Sequence, residues 1–328
     1  MRFKSLLGKA RCVSGPRRIR TGFAAGALAL AAFAPRLAVA EEHLSVGVVN
    51  FDSSAVTANQ IAQTVVKEGI ANGWDVVIQD PKADLGQANT LCSQYVTRQV
   101  DAIVVAVFQV SQMAQCLAFA KTASIPVFFL GTSLEGDASG AISLTIAQPI
   151  NDAFVDFLSK NKGLTVLAFT YKPGAPCRER EDLLDALVKK SDVSATFDKQ
   201  EIVVPGIVTT SLAATQAWLN GHPDDGGKKL AIWACTSDAA FGALSAMKQA
   251  GRTGIPIYTW DMTDLIIDAL KNNEMAATLW IDANGVAKQL VQQIKDNRAG
   301  KPPRTDEAAH LVITPDNVRA FLQAHPNL

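Results

Sequence analysis

From residue 44 onward, short apolar runs rich in β-branched residues alternate with longer amphipathic ones at nearly constant spacing. Residues 44–50 read as a strand, and 57–72 then place Ile61, Val65, Val66 and Ile70 at helical spacing. Strand 74–79 and helix 87–99 follow, the helix carrying Leu91, Tyr95 and Val96 on one face. Residues 103–107 are almost entirely apolar, as expected of a parallel strand buried on both faces. A helix over 111–122 and a strand over 126–130 complete the first set. The run 141–146 leads into a second set: helices over 151–160, 179–190, 212–220, 239–250, 265–272 and 284–298, with strands over 164–169, 201–204, 230–234, 255–260 and 276–281. Such alternation implies right-handed crossovers and parallel sheets covered on both faces, hence an α/β chain of two doubly wound parallel-sheet lobes. Ligands of open α/β sheets bind outside the carboxyl ends of the strands, so the residues just after each strand are the ones to weigh.

The first 40 residues differ in kind. They hold eight Lys or Arg and no Asp or Glu, then an apolar run ending in Ala38-Val39-Ala40. This reads as a signal peptide over 1–40, cleaved after Ala40, which sends the chain to the periplasm. The mildly apolar stretch 21–34 is shorter than the roughly 20 residues a membrane span needs, so no membrane insertion is expected. Arg17-Arg18 hints at twin-arginine export, although its neighbours fit that motif poorly. The whole chain has 31 basic and 31 acidic side chains; setting aside the eight leaves 23 against 31, a mature net charge of −8. An acidic chain of this kind is not expected to bind nucleic acid, whose phosphates call for a basic excess.

Four cysteines remain beyond the leader: Cys92, Cys116, Cys177 and Cys235. An even number in an oxidising compartment permits two disulfides, with three possible pairings. None stands in a Cys-x-x-Cys pair or beside a histidine at zinc spacing, so no metal is expected. The histidines at 43, 222, 310 and 325 join no recognisable triad, and the hydrolase, zinc-protease, phosphate-loop and dinucleotide motifs are all missing from the sequence. No catalysis and no cofactor are expected.

Gly73-Trp74-Asp75-Val76-Val77, the segment 84–87, the run 100–105 and Ser124-Ile125-Pro126-Val127 resemble the amino-terminal lobe of periplasmic ribose-type sugar-binding proteins. Arg178-Glu179-Arg180, the run 242–247 followed by Ala250-Gly251, and Trp260-Asp261 resemble their carboxyl-terminal lobe. The resemblance spans residues 44–313 and rests on the order and spacing of these fragments together. It implies a type I periplasmic binding protein: two lobes joined by a three-crossing hinge that close on a ligand. By that match the lobes are 41–147 plus 283–311 and 148–282 plus 312–328, with crossings near Ala147, Asp282 and Leu311. Repressors sharing this fold carry a helix-turn-helix module where this chain has its leader.

By the same resemblance Arg180 donates to ligand hydroxyls, Asp261 accepts from two of them, and Trp260 packs against a sugar's C–H face. Elsewhere the chain departs from the family pattern. Phe51-Asp52-Ser53-Ser54-Ala55 stands where relatives carry an Asn-Pro-Phe-Phe-like segment, and Gly131-Thr132 where they carry Asp-Arg. Their remaining polar ligand residues fall near Phe108, at Thr236-Ser237 and at Ile281-Asp282. The strand-end rule then assembles a cleft with Asp52, Asp261 and Asp282 as acceptors, Arg180, Gln109, Thr132 and Thr236 as donors, and Phe51, Phe108, Trp260 and Trp280 as apolar walls. Several carboxylates facing one arginine favour a neutral polyhydroxylated or amine-bearing ligand. The topology sets Cys92 and Cys116 on neighbouring helices, and a Cys177–Cys235 bridge would pin the loop of Arg180. The expected function is an exported, monomeric solute-binding protein delivering a small hydrophilic ligand to an ABC permease. The alternative is a sensor presenting it to a kinase or chemoreceptor.

Overall fold

A computed structural model describes residues 43–222 and 229–326; the expected signal peptide and its cleavage point lie outside them. The first lobe runs β1 (Ser45–Val49), α1 (Val56–Ala71), β2 (Asp75–Gln79), α2 (Leu85–Thr97), β3 (Ala102–Ala106), a 3₁₀ turn (Ser111–Met113), α3 (Ala114–Thr122), β4 (Val127–Leu130) and β5 (Gly140–Ser143). The second runs α4 (Gln148–Lys160), β6 (Leu164–Thr170), α5 (Ala175–Lys190), β7 (Ala195–Glu201), α6 (Ile207–Asn220), β8 (Leu230–Ala234), α7 (Ser237–Gln249), β9 (Ile257–Trp260), α8 (Asp264–Lys271) and β10 (Ala277–Ile281). The chain then forms α9 (Ala283–Arg298), β11 (Thr305–Glu307), β12 (His310–Ile313) and α10 (Val318–Ala324).

Each lobe holds one six-stranded sheet. Their orders are β2-β1-β3-β4-β5-β11 and β7-β6-β8-β9-β10-β12. The central strands β3, β4 and β8 are buried along their whole length, which is why they read as continuous apolar runs. Every pairing is parallel except β12 against β10. That antiparallel strand departs from the purely parallel expectation. It arises because β12 returns from the first lobe after the short strand β11, with no crossover helix between them. The chain passes between the sheets three times: from β5 to α4, from β10 to α9, which packs on α1, and from β11 to β12. This is the two-lobed, three-crossing architecture that the sequence implied.

One element lies elsewhere than the sequence pattern suggests. Residues 201–204 carry the β-branched run Ile202-Val203-Val204, yet the strand there is β7, the polar stretch just before it. β7 is an edge strand, where charged and polar side chains face water and discourage pairing with other chains. The apolar run follows it because Ile202 and Val204 line a cavity between the lobes.

Both disulfides join the expected partners. Cys92 on α2 bonds Cys116 on α3 with Cα atoms 5.7 Å apart, and Cys177 on α5 bonds Cys235 at the end of β8 with Cα atoms 5.1 Å apart. These separations lie in the range a disulfide requires.

Candidate functional site

The carboxyl ends of the strands from both sheets meet between the lobes. Local sequence sets the chain's direction there. β3 and β9 are each followed by a non-glycine residue with left-handed backbone, Val107 at φ 69° and Asp261 at φ 71°. Asp tolerates this conformation better than most residues, and its turn is fixed by Asp261 N–H on the Leu279 carbonyl (2.7 Å) and by the Thr278 hydroxyl on the Asp261 carbonyl (2.6 Å). For a β-branched valine the same conformation is strained. Val107 also accepts the Ala175 N–H at 3.4 Å, a main-chain contact from one lobe to the other.

Helix α5, opened by Gly174 and Pro176, places Arg180 on its inward face, with only 3% of the residue exposed. Its Nη1 donates to the Cys235 carbonyl at 2.7 Å and its Nη2 to the Leu144 carbonyl at 2.9 Å. Nη1 also lies 3.9 Å from Oδ2 of Asp261, and the guanidinium sits over the Trp260 ring, 5.0 Å from its centroid. The Nε of Arg180 is buried with no partner. Burial pushes the Arg180 pKa down to about 10, opposed by the neighbouring carboxylates of Asp261 and Glu179, so the group stays charged at neutral pH. Burial likewise pushes Asp261 up, and Arg180 opposes it.

A second carboxylate lies beside this pair. Asp238, in the first turn of α7, is 6% exposed. Burial, reinforced by the charge of Asp261, pushes its pKa up to about 6. Its Oδ2 accepts the Val56 N–H at 3.0 Å, and next to it the Thr57 and Ser237 hydroxyls are hydrogen-bonded at 2.9 Å. Helix α1 has no side-chain cap of its own at Ala55. Its free N-terminal donor is therefore met by a carboxylate from the opposite lobe, where the helix dipole also favours negative charge.

The cavity these groups face takes Arg180, Asp238, Asp261, Thr57 and Thr236 as polar lining. Its remaining wall includes Phe51, Ala55, Ile61, Val107, Leu144, Tyr171, Pro176, Ile202, Val204 and Ile207. Of the residues expected from sequence, Arg180, Asp261, Phe51 and Thr236 come together here. Trp280 and Asp282 line a second, more open cavity that shares Asp261, Thr57 and Ile61 with the first. The other expected residues are not in the lining of either. Trp260 is fully buried, its Nε1 donating to the Ile146 carbonyl at 2.7 Å, so its ring backs the Arg180 guanidinium from within the core. Phe108 is buried edge-on against Phe51, with centroids 5.3 Å apart. Asp52 is buried and accepts the N–H and hydroxyl of Ser54. Gln109 accepts from the Ser111 hydroxyl at 3.4 Å, and Thr132 is buried. Asp238, Tyr171 and Thr57 were not anticipated, although Tyr171 directly follows β6, where the strand-end rule could have found it, and Asp238 lies in the first turn of the helix after β8.

In chemical terms the cleft is lined by one charged donor, Arg180, whose buried Nε has no protein partner, and by two acceptor carboxylates, with Arg180 and Asp238 held by main chain from both lobes. Among the described residues, no group of three or more His, Cys, Asp or Glu side chains could hold a metal ion, and no helix is long and apolar enough to cross a membrane.

The family model for the periplasmic binding protein domain matches residues 46–302. A xylitol-binding protein of Mycolicibacterium smegmatis is 24% identical over 303 residues, covering 85% of this chain and 79% of that protein. The crystal structure of an ABC transporter solute binding protein from Agrobacterium vitis with bound allitol matches with a TM-score of 0.78 at 20% identity, over 86% of this chain and 99% of that one. The periplasmic binding protein component of the arabinose ABC transporter from Shewanella sp. ANA-3, bound to arabinofuranose, matches with a TM-score of 0.75 at 17% identity, over 85% and 95% respectively. At such identities the structural likeness establishes a shared fold.

Proposed function

The chain belongs to the periplasmic binding protein domain family, and from that premise we propose that it captures a small neutral hydroxyl-bearing molecule, a sugar or polyol, between its lobes and delivers it to an ABC permease. The observation that carries this reading is the unpartnered, buried Nε–H of Arg180 beside the buried carboxylate of Asp261. A buried donor left unmet is costly. A hydroxyl both donates and accepts, so neighbouring hydroxyls on one ligand can satisfy Arg180 and Asp261 together. An ammonium ion supplies donors only and leaves Nε unmet. An anion meets the carboxylates of Asp261 and Asp238. The polyol and pentose ligands of the relatives agree with this choice.

Capture works by population shift: a ligand touching both lobes favours the closed form. The closing bodies are the first lobe joined by residues 283–309 and the second lobe joined by the segment from 310 onward, because β12 pairs with β10 from His310 and so places the third crossing just before it rather than near Leu311. The protein acts as a monomer in the periplasm after cleavage behind Ala40, a point checked by the amino-terminal sequence of the exported chain.

A thermal-shift screen of the oxidised protein against pentoses, hexoses, alditols, amines and amino acids tests the reading. Ligand at about 100 times Kd adds roughly 2.7 kcal/mol of stability. Calorimetry on each hit with Asp261→Asn, which keeps the left-handed turn accessible, is expected to show affinity weakened about 100-fold, as loss of hydrogen bonds to a charged acceptor implies. Hits confined to amines, or a sugar hit indifferent to Asp261→Asn, would overturn it. Uptake of the same ligand by cells carrying or lacking this chain tests delivery.

A further inference from the structure

Tyr171 directly follows β6, lines the cleft and is half-buried. β6 and β8 are neighbours with Phe169 opposite Ala234, so Tyr171 leaves the sheet alongside Thr236, just beyond the Cys235 carbonyl that holds Arg180. Its ring is set from both lobes. In the second lobe, a Cβ on Gly174 would come 2.9 Å from Cδ1 of Tyr171 and 3.1 Å from Cε1, so the ring takes space that only a glycine leaves open. From the first lobe, Phe51 meets it edge to face with centroids 6.1 Å apart. Gln112 Nε2 donates to the Pro173 carbonyl at 3.2 Å, tying the same loop across the cleft. The hydroxyl on this fixed ring makes no hydrogen bond with any described residue. Tyr95, fully buried in the first lobe, is unlike it: its hydroxyl lies within hydrogen-bond distance of the Val48 and Val77 carbonyls, at 3.2 and 2.9 Å. Burial, followed by the charges of Glu201 and Asp52, holds the Tyr171 phenol above its ordinary pKa, so it keeps its proton and remains a donor.

Resting on the sugar or polyol reading, we propose that Tyr171 is a specificity-determining residue: its phenol donates to one ligand hydroxyl other than those that meet Arg180 and Asp261. Two adjacent hydroxyls satisfy Arg180 and Asp261 wherever they occur along a polyol, so that pair alone does not fix which carbons it holds. A third contact from Tyr171 does, because it requires a hydroxyl at a set distance from the other two. A ligand lacking that hydroxyl leaves the phenol unpaired when the cleft closes. A site built to hydrogen-bond a hydroxyl rejects the analogue without it far more strongly than an apolar wall rejects an added one.

Tyr171→Phe keeps the ring and its packing and removes only the hydroxyl. Calorimetry on the oxidised exported protein starts from xylitol, D-glucitol, L-arabinose and D-galactose, adds any other sugar or polyol hit of the wider screen, and includes the monodeoxy analogues of each binder. Tyr171→Phe is expected to weaken a binder about tenfold, as loss of one hydrogen bond inside a closed site implies. One monodeoxy analogue is expected to lose a similar factor with the parent protein and to be indifferent to Tyr171→Phe, while Asp261→Asn still weakens it. Tyr258→Phe removes a hydroxyl from β9 where the ring packs on Phe154 and Phe157, outside the cleft lining, and is expected to leave Kd unchanged. If Tyr171→Phe leaves Kd unchanged, or weakens the binder and every deoxy analogue alike, the Tyr171 assignment falls, and the sugar or polyol function stands where Asp261→Asn weakens the same binder. If no sugar or polyol binds, both fall.

Discussion

The turn after the fourth strand of each sheet shows how the two lobes divide their work. β4 and β9 hold the same place in the two strand orders, and each is followed by a residue with left-handed backbone: Gly131 at φ 101° in the first lobe and Asp261 at φ 71° in the second. Glycine takes this conformation without steric cost. It is also needed for space, because a Cβ on Gly131 would come 3.2 Å from Cγ of Pro176 in the second lobe. Where one lobe is trimmed so that α5 can approach, the other keeps a buried carboxylate. The rest of the cleft follows suit. Arg180, Asp238 and Asp261 all come from the second lobe, whereas the first supplies Phe51, Ile61, Val107 and the α1 N–H that meets Asp238. The same fold, used twice, thus places the charged groups of the cleft in one lobe, while both lobes contribute apolar wall and the first adds the Thr57 hydroxyl.

Removing the two disulfides separately probes this division most forcefully. Cys177 and Cys235 are 58 residues apart and Cys92 and Cys116 are 24 apart, so on chain entropy their loss costs about 4 and about 3.5 kcal/mol respectively. Replacing Cys177 and Cys235 by alanine is expected to weaken ligand binding as well, because the bridge ties α5 to the backbone at 235 whose carbonyl holds Arg180. The alanine pair at 92 and 116 is expected to leave Kd unchanged. Denaturant melts and calorimetry on both variants decide the matter, and an equal effect on Kd would break the comparison.

The next effect depends on pH. Asp238 titrates near 6 in the folded chain against 3.8 for the free side chain, so between these values the native state holds a proton that the unfolded chain releases. The associated stability is fully present below pH 3.8 and is lost as pH rises through 6, a change of about 3 kcal/mol. Asp261 is shifted in the same direction. Melting the ligand-free protein from pH 4 to pH 7 is expected to show this fall, and Asp238→Asn to flatten most of it. A slope unaltered by that substitution would mean that the opposite-lobe contact does not confine the carboxylate.

The smallest effect belongs to the trimmed turn. Gly131→Ala is expected to cost about 1 kcal/mol in backbone conformation and to weaken ligand binding several-fold by holding Pro176 away. Gly136→Ala serves as its control: that residue is also left-handed, at φ 52°, but a Cβ there meets nothing within 4 Å. Its Kd is expected to match that of the parent.

Much of the fold was legible because its signals are local or periodic. The buried runs of β3 and β8, and helical faces such as Ile61 with Val65 on α1, declare themselves through spacing alone. β7 did not, since an edge strand is polar and the apolar residues beside it answer to the other lobe. The same limit applied to the cleft. Asp261 could be picked out by its position after a strand and by family resemblance, and Arg180, inside α5, by the resemblance alone. Asp52 and Trp260 satisfied the same rule, yet one bonds to its own turn and the other packs into the core.

The amino-acid sequence by itself determined the alternation of strands and helices and the two-lobed division, because hydrophobic period and topology restrict each of these without reference to distant contacts; it left three cysteine pairings open, and the tertiary structure joins Cys92 to Cys116 and Cys177 to Cys235. Only the tertiary structure decided which strand-end side chains face the cleft and that Asp238 meets the first turn of α1. Those features depend on side-chain direction and on packing between residues as far apart as Val56 and Asp238, which no local pattern encodes.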